Sequence, residues 1–462
     1  LLGALYLNFL WASGHDGQRC VEIVLLCAGA LAMLGRTVMG TPALVLQSVG
    51  RPLLAFFILG LISAASALST RHAIYEWSSF LLLTGLAFAL AAELGKAGSH
   101  RLLAMLQLTG IACGLYSLRV LLMYAAALAN GYQIDMHGLA VGFSNVRFLN
   151  HTQTALLPLI VLLCLQAPKA SAARTVWFVL AAFWWSLLFV SEARATLLAL
   201  GAGTGAAFVL RRRDASGFLR MMVLTALAGL VVYVLGFLLL PTLVGLHPIA
   251  VPLKVVARTA ADPSSGRTLL WKLALQLIVS HPWLGVGPHH FAHKGHTLYI
   301  GAHPHDWLLQ IGAEWGVPAL LCLIGAVVLG MRALVCSGKH IADSDLRNQQ
   351  ILAALLAACA AIFVDGLFSG VLVMPQSQLA IVLVIGFAGG WVRSLDGSAA
   401  DVRSSAPARG AAAALTAAAL CGLIWSVAPD FVRHARGDGP TPAEQAINDK
   451  ANWPRLWETG YF

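Results

Sequence analysis

Seven of the chain's fifteen histidines crowd between residues 281 and 305: His281, His289, His290, His293, His296, His303 and His305. Imidazoles at this density could bind a metal or move protons. The pairs His290/His293 and His293/His296 have helical i, i+3 spacing. The stretch holds no Cys, however, and its only acids, Asp306 and Glu314, come at its end. A zinc site needs converging nitrogen, sulfur or carboxylate ligands, so no metal is expected. The proton-transfer reading falls on His303 and His305. They stand where the polar stretch meets the next apolar run, in Gly301-Ala-His303-Pro-His305-Asp306-Trp-Leu-Leu-Gln310-Ile-Gly-Ala-Glu314-Trp-Gly316. A neutral imidazole accepts a proton near pH 7, so His303 or His305 is the candidate general base. Gln310 and Glu314 are four apart and share a helix face.

Three arginines accompany them. Arg267 opens the segment Arg267-Thr-Leu-Leu-Trp271-Lys-Leu-Ala-Leu-Gln-Leu-Ile-Val-Ser-His281-Pro282. Arg194 sits in Val190-Ser-Glu-Ala-Arg194-Ala-Thr196, and Arg147 in Phe143-Ser-Asn145-Val-Arg147-Phe-Leu-Asn150-His151-Thr-Gln153. Arginine grips phosphate oxygens with paired, directional donors. If topology brings Arg147, Arg194 and Arg267 to one side of a membrane, the set suits a diphosphate.

The elements that must position these groups are membrane helices. The chain is 59% hydrophobic and only 11% charged, whereas an ordinary soluble domain carries about 25% charged residues. Apolar runs lie near 1–13, 21–35, 52–69, 74–92, 102–128, 152–167, 175–190, 195–210, 219–246, 315–335, 351–372, 376–392 and 410–428. Most are long enough to cross a hydrocarbon core of about 30 Å, where only a self-satisfied backbone is stable. The expected fold is therefore an all-α polytopic membrane protein with about 12–13 transmembrane helices. Lys and Arg in the connections discriminate the sides. Sixteen follow even-numbered runs, among them Arg36, Lys96, Arg211 to Arg213 and Arg347; the short loops after odd-numbered runs hold Arg19, Arg71, Arg147 and Arg194. Positive charge marks the cytoplasmic side, which puts the long segment 247–310 and Arg147, Arg194 and Arg267 outside the cytoplasm. The formal charge of +10 thus reads as topology, and no nucleic-acid partner is expected.

Within 247–310, Ser264 or Ser265 is the expected N-cap of a helix stopped by Pro282. Leu269, Leu270, Leu273, Leu277 and Ile278 fall on one face, with Thr268, Lys272, Gln276 and Ser280 opposite. This predicts an amphipathic helix at the membrane surface, with an anion site at its first turn. Four units follow: a bundle over 1–246, the loop 247–310, further spans over 311–429 and a short tail over 430–462. In the tail, Thr441-Pro-Ala-Glu444 reads as a helix start. Ionisable groups inside spans are expensive and usually paired, so Arg119 and Asp365 are expected to approach each other or to share a polar cavity. The eight cysteines show no C-x-x-C and read as buried thiols.

With these residues set out, the chain resembles the superfamily of O-antigen ligases, O-antigen polymerases and protein O-oligosaccharyltransferases. The resemblance rests on Ser265-Gly-Arg267 through Trp271, His281-Pro-Trp-Leu-Gly285-Val-Gly287, His305-Asp306-Trp-Leu-Leu-Gln310 and Glu314-x-Gly316. Ser191-Glu-Ala-Arg194-Ala and Phe148-Leu-Asn150-His151-Thr-Gln153 look like two further family segments. It covers about residues 140 to 375. It implies a class C glycosyltransferase-like fold whose extracytoplasmic loop is the active site, with His305, Arg194 and Arg267 as the corresponding functional residues. The sequence departs from the pattern in having Asp306 where many relatives have Asn, and in offering the second histidine, His303.

The expected activity is ligation. A polysaccharide on undecaprenyl diphosphate would pass to the lipid A-core oligosaccharide, with inversion, at the periplasmic face of a bacterial inner membrane. Arg194, Arg267 and Arg147 would hold the diphosphate and His305 or His303 would take the acceptor proton. Gln310, Glu314, Asp306, Arg119 and Asp365 would support the site. No cofactor is expected: the energy is stored in the donor, and no Walker or Rossmann pattern occurs. The partners are the donor, the acceptor and membrane lipid. A polymerase or protein-modifying transferase would use the same fold. A transporter of lipid-linked glycan is a more distant reading, because matched pairs of interrupted spans are missing from the sequence.

Overall fold

The computed structural model describes residues 14–38, 47–249, 266–295, 301–342, 344–395, 406–436 and 455–457. The described chain is helical with no strand. Eleven of its segments are long and apolar enough to cross a membrane, and the chain is a multi-pass, all-α membrane protein. The apolar run over 1–13 and the helix start at Thr441 lie outside the described residues.

Helices α1 (Gly14–Val38) and α2 (Gln47–Ser66) lead into α3 (Thr70–Ala129), one stretch of helical backbone with two span-length halves, Thr70–Lys96 and His100–Ala129. A straight helix would separate Glu76 from Tyr116 by about 60 Å. The two are instead joined by a short relay. Glu76 meets Arg455, the Arg455 carbonyl meets Arg19, Gln18 bonds the Gly142 carbonyl, and Phe143 touches Tyr116. That relay is too short to cover such a distance, so the chain reverses between Lys96 and His100 and the halves run antiparallel.

After the single turn α4 (Met136–Leu139) come α5 (Val146–Gln166), α6 (Ala172–Val190), α7 (Arg194–Arg211) and α8 (Ser216–Tyr233). A π-helical segment, Val234–Leu239, extends α8 towards Leu243. Asn145 and Ser171 cap α5 and α6 by accepting backbone N–H groups, as short polar side chains do at helix starts. α7, read from sequence as the eighth span, is absent from the eleven. Its glycines and threonines make it less apolar, because it lies against protein: a Cβ at Gly203 would stand 2.3 Å from the Ala357 carbonyl oxygen. Three short helices, α9 (Arg267–Ser280), α10 (His290–Gly295) and α11 (Trp307–Trp315), precede α12 (Val317–Ser337), α13 (Leu346–Gly366), α14 (Pro375–Leu395) and α15 (Ala406–Arg436).

Two cores result. One joins the second half of α3 with α5, α6, α7, α8 and α13. The other joins α1, α2, the first half of α3, α11 and α15. α14 contributes to both, through Phe387 and Trp391 on one side and Leu379 and Val382 on the other. α5 is the axial helix: 94% of its apolar window is buried in protein, against 17% for α12. α12 and α8 turn Leu321, Val328, Leu227 and Val231 outward, as lipid-facing helices do. At one end of the bundle lie Arg36 paired with Glu93, Arg211 beside Gly338, and Gln166 on Gln350. The candidate site occupies the other end.

Candidate functional site

The segment from α9 to α11 folds into the bundle. α11 is buried from Gln310 to Trp315. Trp315 is stacked between Phe56 of α2, at 4.5 Å between centroids, and Phe80 of α3, at 5.8 Å. Gly60 makes room for it, since a Cβ there would fall on the indole. Such ring pairs add about 0.5–1.5 kcal/mol beyond area burial. The Gly285-Val286-Gly287 turn wraps the end of α11: Val286 N–H donates to the Ala313 carbonyl and Gly287 N–H to that of Glu314, both at 2.9 Å. These carbonyls are the orphans of a helix C-terminus. Gly285 has φ 66° and its absent Cβ would lie 2.4 Å from the Glu314 carbonyl. Only glycine fits both the conformation and the contact.

α9 departs from the sequence expectation in two ways. Its cap is Gly266, at φ 78°, with no side-chain cap bond; Ser264 and Ser265 lie outside the described residues. The buried stripe is Leu270, Ala274 and Leu277, packed on Phe291 and Ala313, while Leu269 is exposed. The helix therefore docks on α11. Arg267 stands half-buried at its first turn.

This docking brings the two candidate bases together. The His303 and His305 rings are 4.1 Å apart, centroid to centroid. His305 N–H donates to Nδ1 of His303 at 3.3 Å, so the neutral His303 ring carries its proton on Nε2. His303 is buried against Gly370, where a Cβ would come within 2.6 Å of its Cε1. His305 is half-buried and sits at φ 55°, a left-handed conformation unusual outside glycine, whose strain a packed site sustains. Two further bonds fix this hairpin. The Trp271 indole donates to the Pro304 carbonyl at 3.1 Å, and the Asp306 carboxylate accepts from Leu308 and Leu309 N–H as the cap of α11. Asn would cap equally well, which accounts for Asp at this place. Burial lowers the pKa of His305 to about 3, reinforced by the Arg267 and His151 charges. His303 is driven well below its ordinary value by burial, then by His305, Arg455, His151 and Arg267.

His151 reaches the hairpin from α5. Its Nδ1 lies 3.6 Å from the buried Asp365 carboxylate, which accepts a hydrogen bond from Thr154 at 2.8 Å. Asp365 thus meets His151 and Thr154, whereas the sequence pointed to Arg119, which is half-buried on α3. The expectation matched depth within two spans and could not see that Asp365 faces α5. One turn before His151, Arg147 donates to the Ser191 carbonyl at 2.7 Å; Asn150 donates to Ser191 Oγ at 2.8 Å. Ser191 and Glu192 form the turn into α7, at whose first residue stands half-buried Arg194. Arg147 and Arg194 therefore share one corner, and His151, one turn along α5, is near enough to act electrostatically on His303 and His305.

Glu314 belongs to a second cluster. It accepts from Phe291 N–H at 2.8 Å and from Arg455 at 2.8 Å. The same guanidinium donates to Glu76 at 2.6 Å, and Glu76 accepts from His289 at 3.2 Å. Arg19 binds Glu22, Gln378 and the carbonyls of Val373 and Arg455. Gln310 lines the small polar cavity between these groups, with Arg19, Glu76, His289 and Arg455. Burial raises Glu314; Arg455 opposes the rise and the Glu76 charge adds to it. His290 is structural: its Nδ1 donates to the Pro288 carbonyl and its Nε2 accepts from Ser69 N–H, both at 2.8 Å, and burial lowers it to about 4. Sequence reasoning missed His151, Arg19, Glu22, Glu76 and Arg455. Glu22 and Glu76 were within reach, as ionisable groups inside apolar runs.

Fold and site together define a membrane enzyme scaffold with a histidine and arginine centre at one end of its bundle. Residues 176–324 match the family model described as O-Antigen ligase. The match runs from within α6 into α12 and includes Arg194, Arg267, His303, His305 and Glu314. Over that segment the chain is similar to the O-antigen ligase family, which supports the superfamily suggested by the sequence. No match was found among the curated proteins.

Proposed function

We propose that the protein is a ligase that moves a polysaccharide from undecaprenyl diphosphate to the lipid A-core oligosaccharide. The convergence of Arg267, His303, His305 and His151 within the family domain's end of the bundle carries this reading. Arg267 and the Arg147/Arg194 corner bind the diphosphate oxygens, which favour paired guanidinium donors. His305 takes the proton of the acceptor hydroxyl. The hydroxyl oxygen attacks the anomeric carbon, the carbon–oxygen bond to phosphate breaks, and undecaprenyl diphosphate leaves with the electron pair, its charge stabilised by the arginines. Attack opposite the leaving group inverts the anomeric centre. His303, whose Nδ1 accepts the His305 N–H, holds the hairpin.

The donor completes its own base. Burial and Arg267 keep His305 at about 3, too low for an effective base near pH 7. A diphosphate beside Arg267 offsets that positive charge and raises His305. The excess of positive charge at the opposite end supports a periplasmic site. The distribution of Arg36, Lys96, Arg174, Arg211 and Arg347 is the basis for that orientation.

The test is reconstitution of purified protein with a lipid-linked glycan and separate acceptors: lipid A-core, a second lipid-linked glycan and a pilin. Transfer to lipid A-core, unaffected by EDTA and lost in His305→Ala, is expected. Transfer only to the second lipid-linked glycan would make the protein a polymerase, and loss of turnover in EDTA would remove the metal-free mechanism.

A further inference from the structure

Arg455 lies far outside the matched family segment, yet it is among the most buried charges at the site end. Its side chain is 3% exposed and it touches three elements. One guanidinium nitrogen donates to Glu76 of α3 at 2.6 Å and to Glu314 of α11 at 2.8 Å. The other donates to the Ala302 carbonyl at 3.0 Å. Ala302 immediately precedes His303. The Arg455 carbonyl accepts from Arg19 of α1 at 2.9 Å, and its neighbours are pinned too. The Leu456 carbonyl meets His15 Nε2 at 3.2 Å, and the Trp457 indole donates to Asp430 at 2.9 Å.

We propose that Arg455 is a positioning residue that fixes the His303–His305 hairpin from the C-terminal tail. Among the described residues, hydrogen bonds anchor the hairpin through Trp271 on Pro304, the Asp306 cap and Arg455 on Ala302. The first two tie it to neighbours in the same loop. Arg455 alone of these ties it to α3 and, through Arg19, to α1. A residue from the tail thus adds a polar tie between the site's histidines and the bundle, beside the packing of His303 on Gly370. The geometry needs arginine. A planar fork reaches two carboxylates and a carbonyl at once, whereas a lysine ammonium is one point charge. That this hairpin carries the base rests on the function proposed above.

The variants are Arg455→Lys, which keeps the charge, and Arg455→Met with Glu76→Gln and Glu314→Gln, which leaves no stranded buried charge. The first readout needs no substrate: carbethoxylation of His303 and His305 by diethyl pyrocarbonate, followed by peptide mass spectrometry, with exposed His281 as internal control. Both variants are expected to speed modification of His303 and His305 at least about tenfold, with His281 unchanged, since a loosened supporting shell releases what it positions. The second readout is transfer, where kcat falls at least about tenfold with KM nearly constant, as misplacement of a reacting group predicts. Unchanged modification of His303 and His305 in either folded variant overturns the proposal, as does full kcat in the triple variant. If Arg455→Lys fails to fold, the triple variant decides, and the reverse. Should His305→Ala leave transfer intact, the assignment of His305 as the base falls, while the modification rates still decide the positioning role.

Discussion

Two groups of buried charge sit side by side at one end of this bundle. Around Arg455 and Arg19, the guanidinium groups meet carboxylates: Glu76 and Glu314 for one, Glu22 for the other. Around His303 and His305, the charges that bear on the rings are chiefly positive, from Arg267, His151 and Arg455. The first arrangement balances itself and holds elements together. The second makes both imidazoles harder to protonate, and an anion bound there relieves it. Arginine and histidine thus stand balanced by carboxylates in one cluster and crowded by positive charge in the other, and the second is where the proposed chemistry falls.

The largest expected effects separate the clusters by kind. His305→Ala and Arg267→Ala should lower transfer about 10²–10⁴-fold with the thermal midpoint in detergent little changed. Arg19→Met should do the opposite, destabilising the fold by about 3–5 kcal/mol because Glu22 is left buried without its cation; unfolding by denaturant measures it. A normal midpoint for Arg19→Met would erase the distinction. Next, Gly370→Ala should cut activity about tenfold by displacing His303, whose Cε1 would lie 2.6 Å from the new methyl. Assay of kcat in a variant of unchanged stability checks this.

The pH dependence of stability sharpens the comparison. His290 and His305 titrate near 4 and 3 in the folded chain, below an unfolded value of about 6.5. As pH drops below 6.5 the unfolded chain binds protons first, so stability is complete above that value and declines towards 4. The melting midpoint should be lower at about pH 5 than at about pH 7.5, and His305→Gln should flatten that slope. The smallest effect belongs to Asp306. Asp306→Asn should leave stability within about 0.5 kcal/mol, whereas Asp306→Ala should lose about 1 kcal/mol with the cap.

Much of the fold was legible because a bilayer constrains sequence so strongly. Twelve of the thirteen apolar runs recur as helices, and the first lies outside the described residues. Legibility failed where partners come from distant segments. Arg119 and Asp365 were matched by depth alone, but azimuth around the helix axis decides contact, and Asp365 faces α5. Leu269 was placed in the buried stripe and Ala274 was not, because periodicity gives a face only to within a residue's width.

The sequence by itself determined the class of protein and singled out Arg267, His303 and His305, which the fold brings to one end of the bundle. Those follow from hydropathy, charge asymmetry and spacing, all properties of the chain read locally. Only the tertiary structure decided that His151 and Asp365 join the histidine hairpin and that Glu314 serves the architecture beside it. It also decided that Arg455, a tail residue of no apparent pattern, reaches the residue next to His303. A buried charge is settled by whatever stands within a few ångströms of it, and the partners of Arg455 come from residues 76, 302 and 314.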